Sequence, residues 1–349
     1  MTTVDTNQRP TWSARVRLVS QFVRFSAMGA TVVMPLAGAV TAGRPIPGRV
    51  VLGVGAVGVA YHFFGFVLND VCDLDVDRTE PRRAGSPLVQ GRVSPTTALA
   101  FALANIPVGF AILAWLDASV RAILVLALSI ALGAAYDVFG KRSPWPPVTD
   151  LVQGLAWATL GWLGAELAGG ATTVTAFLMA FFVTYILMTN GAHASLRDLA
   201  NDVRHGARTT AIVLGATPLP DGGARVPVAL RAYALVLQLA MVALSGGMLV
   251  ALGYTGATAV YATTAWLALS GLSLALLVAA GRQTQDRVAS MVAGTQHLIV
   301  ALGVVIALLA PRMSWGLRLL AVGGYVGPLL TYGWLVDSLR RRRHERLRP

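Results

Sequence analysis

The sequence has little of what a water-soluble domain or a disulfide scaffold requires. Only 13% of its 349 residues are charged, whereas soluble globular chains carry about 25%. It contains a single cysteine, Cys72, so an intrachain disulfide is excluded and no oxidising compartment is indicated. It also contains a single lysine, Lys141, among 28 lysine and arginine residues. Disorder, a disulfide-rich fold and an ordinary cytosolic enzyme are all poor fits to this composition.

Long apolar runs fill the sequence instead. Apolar residues make up 55% of the chain, and the mean hydropathy is +0.64. Runs of roughly 18 or more such residues are long enough to cross the hydrocarbon layer of a membrane as helices. We therefore predict an all-α, polytopic membrane bundle of nine or ten transmembrane helices. Ten apolar segments support this prediction, at about residues 25–43, 50–68, 97–116, 119–136, 148–168, 172–192, 229–252, 256–280, 289–310 and 316–336.

The distribution of arginine predicts the orientation. A net charge of +12 would suggest nucleic acid in a soluble protein, but the positive-inside rule explains it here, and we expect no nucleic-acid partner. With the N-terminus in the cytoplasm and alternating spans, only five basic residues fall outside. The alanine- and arginine-rich usage is typical of a GC-rich bacterial genome, so we predict a bacterial cell-membrane protein with both termini cytoplasmic. The five outer residues are Arg44, Arg49, Arg121, Arg312 and Arg318.

The loops suggest how the chain is organised. We predict a cytoplasmic segment at 1–20 without a signal-peptide cleavage site, a transmembrane domain at 21–337 and a basic cytoplasmic tail at 338–349. Two long acidic loops, 69–96 and 193–228, follow the second and sixth spans, whereas short basic loops follow the fourth and eighth. A period of four helices predicts two pseudo-repeated four-helix units.

Each acidic loop begins with a row of carboxylates. If the second span continues as a helix, four polar side chains share one face, namely Asn69, Asp70, Asp73 and Asp77. In the other loop, Asp198 and Asp202 also share a face. Like charges at this spacing repel each other, so a cation must compensate for them. Hard oxygen ligands in small number suit Mg²⁺, whose coordination shell substrate phosphates can complete.

Basic residues surround both acidic rows and could meet phosphate oxygens that the metal ions leave free. Two facing carboxylate clusters with a basic rim predict a diphosphate site at the membrane surface. The alternative is that each acidic loop is a solvated turn whose carboxylates pair with its own arginines. This alternative could explain a single acidic loop, but it explains less well why two such loops follow equivalent helices. The basic residues are Arg78, Arg82, Arg83, Lys141, Arg142, Arg204 and Arg208.

The two acidic motifs resemble the signatures of the UbiA superfamily of intramembrane prenyltransferases. N-D-x-x-D-x-x-x-D corresponds to Asn69, Asp70, Asp73 and Asp77, and D-x-x-x-D-x-x-x-G-x-x-T corresponds to Asp198, Asp202, Gly206 and Thr209. The stretch 87–94 and the pair Tyr136 and Lys141 are also similar to family motifs. The resemblance covers about 25–310. The sequence departs from the family pattern at Ser86, where arginine is frequent, and at Asn201, where glycine is frequent.

The resemblance implies a Mg²⁺-dependent transfer of a prenyl group. Metal ions would sit on Asn69, Asp70, Asp73, Asp77, Asp198 and Asp202, with Asp73 and Asp198 as the central catalytic carboxylates. The diphosphate of a polyprenyl substrate would meet Lys141, Arg83, Arg142 and Arg208. Ionisation of the allylic C–O bond would leave a cation that a small, aromatic acceptor attacks inside a water-excluding cavity. Candidates for lining the pocket are Tyr136, His62 and Asn190, although each is also compatible with ordinary packing.

Three other functions remain open at this point. A UbiA-type intramembrane terpene cyclase would use the same ionisation without an acceptor. A CDP-alcohol phosphotransferase would require D-G-x-x-A-R, and the nearest string, at 221–225, is one residue short and lies downstream of the other aspartates. A transporter would bind its substrate near the bilayer midplane, whereas these carboxylates lie at the inner edge of the spans.

Overall fold

The computed structural model describes residues 12–220, 223–327 and 330, and these are predominantly helical. A short antiparallel pair, β1 (Thr217–Pro218) and β2 (Ala224–Arg225), joins Thr217 to Arg225 and Pro218 to Ala224. A last helical stretch covers residues 315–327. Before it, the described part of the chain forms α1 (Trp12–Phe22), α2 (Met28–Thr41), α3 (Gly48–Cys72), α4 (Leu74–Asp77), α5 (Pro95–Trp115), α6 (Val120–Phe139), α7 (Pro146–Leu167), α8 (Thr173–Met188), α9 (Ser195–Arg204), α10 (Thr210–Val213), α11 (Val228–Leu252), α12 (Gly256–Arg282) and α13 (Arg287–Leu309).

Many of these helices can cross a membrane. Among the described residues, seven helical segments are long and apolar enough, and a bent pair formed by α1 and α2 would make eight. The predicted count of nine or ten is not confirmed. α7 occupies the predicted segment 148–168, but Asp150 and Gln153 interrupt its apolar run, and the segment 316–336 extends past the described residues. The seven segments are Gly48–Cys72, Pro95–Trp115, Val120–Phe139, Thr173–Arg204, Val228–Leu252, Gly256–Arg282 and Val288–Arg312.

A close crossing of α2 and α7 forms the centre of the bundle. A Cβ atom on Gly38 would collide with the carbonyl oxygen of Gly161, and one on Gly164 would collide with that of Pro35. Small residues at both contact points therefore let the two backbones touch, as is common between membrane helices. α3 also packs against α2, and α8 packs against α7. The crossing thus fixes the position of α3 relative to α8.

The loops lie at two ends of the bundle. At one end, Arg49 forms an ion pair with Asp117 at 2.6 Å, and the Arg312 Nη2 atom donates to the Leu252 carbonyl at 3.0 Å. These contacts join loops that the sequence assigns to one side of the membrane. Both acidic motifs lie at the other end, which we call the acidic end, where α3 finishes and α9 lies.

Candidate active site

The side chains of the first acidic motif form two pairs. α3 ends at Cys72, and the backbone of Asp73 (φ −96°, ψ 7°) leaves the helix before α4 begins. The Nδ2 atom of Asn69 lies 3.4 Å from the Oδ2 atom of Asp73, whereas Asp70 and Asp77 are joined through an arginine. Backbone hydrogen bonds of the helical type run across this turn, from the Asp73 N–H to the Asn69 carbonyl and from the Asp77 N–H to the Asp73 carbonyl, both at 2.9 Å. The two pairs are those that helical spacing predicts, at i, i+4 and at i, i+7.

Arg24 and Arg83 hold the pair formed by Asp70 and Asp77. The Arg83 Nη2 atom lies 2.6 Å from Asp70 Oδ2, and its Nε atom lies 2.9 Å from Asp77 Oδ2. Arg24 forms an ion pair with Asp70 and lies 4.0 Å from Asp77 Oδ2. Burial opposes the charge of Arg83, but the two carboxylates outweigh it, so the pKa of Arg83 is raised above its ordinary value. Arg24 lies just before the first apolar run and belongs to neither acidic motif, so the sequence patterns do not mark it.

A carboxylate from outside the motif, Asp137, joins Asn69 and Asp73. The Asn69 Nδ2 atom lies 3.3 Å from the Oδ1 atom of Asp137, which comes from the end of α6. Two carboxylates thus converge on one side-chain amide. The sequence motifs include the neighbouring Tyr136 and not Asp137, although an acidic residue inside an apolar span is itself a signal of function.

The second acidic motif follows a π-helical turn. Residues Thr189–Ala194 form a π-helix between α8 and α9, a feature frequent at functional sites. Asp198, on α9, forms ion pairs with Arg82 and with Arg197, the latter at 3.0 Å. Asp202, one turn later, is 2% exposed.

Asn201 connects the two motifs directly. Its Nδ2 atom donates to the carbonyl of Val76 at 3.0 Å, and its Oδ1 atom accepts from the hydroxyl of Thr79 at 3.1 Å. The Arg82 contact to Asp198 adds a second link. Asn201 is also where the sequence departs from the family pattern, so this departure has a structural use in holding the first motif's loop against α9.

Polar side chains lie beside the motifs. Four carboxylates act electrostatically on the Tyr136 hydroxyl, with Asp150 contributing most, followed by Asp137, Asp73 and Asp202. Asn190, in the π-helix, donates to the Tyr136 hydroxyl at 3.4 Å and contacts Gln153. Two pocket candidates from the sequence, Tyr136 and Asn190, thus lie together beside the motifs.

The remaining predicted residues are less central. Arg142 and Arg208 are exposed at the acidic end, and the side chain of Lys141 lies outside the described part of the structure. His62 is 0% exposed. Its Nε2 atom lies 2.7 Å from the Val23 carbonyl oxygen, and its Nδ1 atom lies 3.0 Å from the Thr31 hydroxyl. These internal contacts are those of a structural histidine and do not support a place in the substrate pocket.

Comparison with known proteins places the chain in a family. The sequence model of the UbiA prenyltransferase family matches residues 28–293. The chain belongs to the UbiA prenyltransferase family. It is 31% identical to the 4-hydroxybenzoate octaprenyltransferase of Pseudomonas putida (strain GB-1) over 153 residues, which are 43% of this chain and 49% of that protein. It is 39% identical to the protoheme IX farnesyltransferase of Hahella chejuensis over 98 residues, 27% and 32% of the two chains. The match thus spans about a third to a half of these curated relatives.

Solved structures share the fold of this UbiA-family protein. A UbiA homologue from Aeropyrum pernix K1 has a TM-score of 0.60 and 22% identity, with 81% of this chain and 95% of that chain covered. A UbiA homologue from Archaeoglobus fulgidus bound to GPP and Mg²⁺ has a TM-score of 0.58 and 15% identity, with 82% and 98% covered. The bundle is therefore the fold of this family, in which prenyl groups are transferred.

The donor atoms of the UbiA-family site fit a magnesium ion by their chemistry. Within the described residues, no group of three or more His, Cys, Asp or Glu side chains is arranged to hold a metal. The carboxylates instead occur in pairs, Asp73 with Asp137 and Asp198 with Asp202. Mg²⁺ takes one or two carboxylates and completes its shell with water and substrate phosphates. Pairs of hard oxygen donors therefore suit this ion, although they do not form a closed cage.

Proposed function

We propose that this protein is a Mg²⁺-dependent intramembrane prenyltransferase that ionises a polyprenyl diphosphate and transfers the prenyl group to a small aromatic acceptor. The observation that carries this proposal is the contact between two aspartate motifs that lie more than a hundred residues apart in sequence. Asn201 and Arg82 make this contact. Carboxylate groups from two motifs that contact each other are suited to binding the two ends of a diphosphate through metal ions. The family membership supports the reaction class.

The residues of the two motifs have distinct proposed roles. Asn69 and Asp73 on one side, with Asp198 and Asp202 on the other, would hold Mg²⁺. The bound ion would stabilise the negative charge on the leaving diphosphate. Arg82 and Arg83 pair with carboxylates in this structure and would turn to the phosphate oxygens once substrate is bound.

The interior of the bundle would shelter the reactive chain. An isoprenoid tail is a long hydrocarbon, and the helices next to the motifs are apolar. Phe66, one turn from Asp70 on α3, packs edge-on against Trp157 at a centroid distance of 6.3 Å. Aromatic faces can stabilise a cation, and exclusion of water would prevent its hydrolysis. Tyr136 and Asn190 would orient the acceptor from the other side.

The known relatives support the finer parts of the proposal. One relative is a 4-hydroxybenzoate octaprenyltransferase, which favours an aromatic acceptor. The Archaeoglobus fulgidus homologue was solved with GPP and Mg²⁺ and with DMAPP and Mg²⁺, which favours an allylic diphosphate with this ion.

We also propose that the acidic end faces the cytoplasm, because the sequence assigns 23 of its 28 basic residues to that side.

We propose further that the bundle consists of two pseudo-repeated four-helix units. α3 packs against both α2 and α5, and α8 packs correspondingly against α7 and α11. The single domain 21–337 is proposed with them, whereas the tail 338–349 lies outside the described residues.

The direct test incubates the purified protein in lipid with labelled prenyl diphosphates of several lengths and a panel of acceptors. We expect a prenylated aromatic product and free diphosphate with Mg²⁺, and neither with EDTA. A cyclised product formed without any acceptor would instead identify a terpene cyclase. Absence of diphosphate release under all conditions would contradict the proposal.

A further inference from the structure

The first membrane stretch is interrupted at Arg24, beside the acidic end. α1 and α2 meet there at an angle of 53°. Arg24 has a left-handed backbone, with φ 46° and ψ 48°. Residues with a side chain rarely adopt this conformation, and it persists only where the surrounding structure holds it in place. The contacts around this break therefore decide where the guanidinium of Arg24 lies.

The break frees one backbone carbonyl, and a buried histidine binds it. In a continuous helix the Ala27 N–H would donate to the Val23 carbonyl, but it donates to the Arg24 carbonyl at 2.8 Å. The Nε2 atom of His62 donates to the Val23 oxygen at 2.7 Å. Both Val23 and His62 are buried, at 6% and 0% exposure. A buried carbonyl without a donor is costly, so His62 stabilises the broken conformation specifically.

The ring of His62 is fixed on its other sides as well. Its Nδ1 atom lies 3.0 Å from the Thr31 hydroxyl on α2, and the ring lies 4.3 Å from the ring of Phe66 on α3. The guanidinium of Arg24 lies over the same Phe66 ring, at 5.7 Å, and reaches Asp70. One histidine thus joins the break, α2 and the aromatic face on which Arg24 rests.

We propose that His62 is a positioning residue: by binding the Val23 carbonyl it holds the left-handed turn that brings Arg24 to Asp70 and Asp77. Arg24 is then available to the diphosphate of the substrate. This inference rests on the proposed function, because it assigns Arg24 to the diphosphate end of the site. His62 itself touches neither substrate nor metal.

The test compares two polar replacements of His62. The side-chain amide of His62→Gln can reach the place of Nε2 and donate to Val23, whereas the shorter His62→Asn cannot. We expect His62→Asn to raise the KM for prenyl diphosphate about tenfold, the size of one weakened hydrogen bond to a charged ligand, with a smaller change in kcat. We expect His62→Gln to stay within about threefold of the unmodified protein. Equal behaviour of the two variants would overturn the proposal.

A double-mutant cycle separates positioning from general destabilisation. If His62 acts through Arg24, the double variant with His62→Asn and Arg24→Ala will have the same KM for prenyl diphosphate as the single variant Arg24→Ala. Competition binding of a prenyl thiodiphosphate gives the same comparison if turnover is too slow. The matched control is His297→Asn, because His297 is also 0% exposed and is bonded on both nitrogens, to His193 at 2.9 Å and Gln238 at 2.8 Å.

We expect His297→Asn to be additive with Arg24→Ala in this cycle. Additive effects of the His62 and Arg24 substitutions would overturn the role of His62 even if the unmodified protein is fully active. Absence of turnover and of thiodiphosphate binding by the unmodified protein would instead refute the proposed function.

Discussion

At the scale of single residues, the site neutralises its carboxylates with arginines that lie close by in space. Asp70 and Asp77 are 4% and 8% exposed, and Arg24 and Arg83 lie against them. A buried charge that loses its partner is strongly destabilising. The same arginines would turn to phosphate oxygens during the proposed reaction, so they would serve both the fold and the substrate.

Substitution of Arg83 tests this dual role. We expect Arg83→Ala to lower the free energy of unfolding by about 3 kcal/mol, because two buried carboxylates lose a partner, and Arg83→Lys to lower it less. Thermal unfolding in detergent measures both. The matched control is Arg78→Ala, since Arg78 and its partner Asp75 are 58% and 92% exposed, and such pairs contribute little. Equal shifts for Arg83→Ala and Arg78→Ala would contradict the pairing argument.

At the scale of elements, the crossing of α2 with α7 and the π-helix before α9 place the motif residues. The extra residue per turn in Thr189–Ala194 changes the direction in which α9 presents its side chains relative to α8. The hydroxyl of Ser195 donates to the Asn190 carbonyl at 2.6 Å, which helps to satisfy the backbone at this turn. Asn190 can then meet Tyr136 while Asp198 meets Arg82.

The helix crossing gives a prediction about stability. We expect Gly38→Ala to destabilise the protein by about 3 kcal/mol, because the added methyl group collides with backbone that cannot move aside. The control is Gly55→Ala in α3, whose Cβ would meet open space, so a small stabilisation of up to about 1 kcal/mol is expected there. A neutral Gly38→Ala in the same thermal assay would show that the two backbones are further apart than described.

The contact between α9 and the first motif's loop gives a prediction about activity. Asn201→Ala removes both hydrogen bonds to Val76 and Thr79, so we expect kcat/KM for prenyl transfer to fall about tenfold or more. Val203→Ala is the control, because Val203 lies on the same helix and is 44% exposed. An unchanged kcat/KM in Asn201→Ala would mean that the two motifs do not depend on this link.

The sequence predicts some elements of this site and not others, for physical reasons. Helical spacing alone correctly makes Asn69 and Asp73 neighbours. It also brings together Asp70 and Asp77, which are seven residues apart and both contact Arg83. Nothing in the spacing could reveal that Asp137 reaches Asn69, since that contact depends on how α6 packs beside α3. Arg24 depends in the same way on a left-handed break that sequence propensity disfavours.

At the scale of the whole molecule, the apolar runs are the most dependable signal. Large apolar side chains lie exposed along the outside of the bundle, including Leu124, Val250 and Val260 at 63%, 80% and 68% exposure. A soluble protein rarely exposes so much apolar surface, whereas lipid would cover it. The UbiA family fold places the acidic motifs at one end of this bundle, where the proposed reaction would hold a lipid-borne chain and its charged head group together.

The most direct test of the central claim is Mg²⁺-dependent prenyl transfer by Asp73→Asn and Asp198→Asn, each compared with Asp75→Asn. Asp75 is the matched control, because its side chain is 92% exposed and pairs only with Arg78 among the described residues. We predict that either motif substitution lowers kcat at least about a hundredfold while the protein stays folded in membranes, and that Asp75→Asn retains its activity. Full activity of folded Asp73→Asn or Asp198→Asn would contradict the claim that both motifs hold the diphosphate through magnesium.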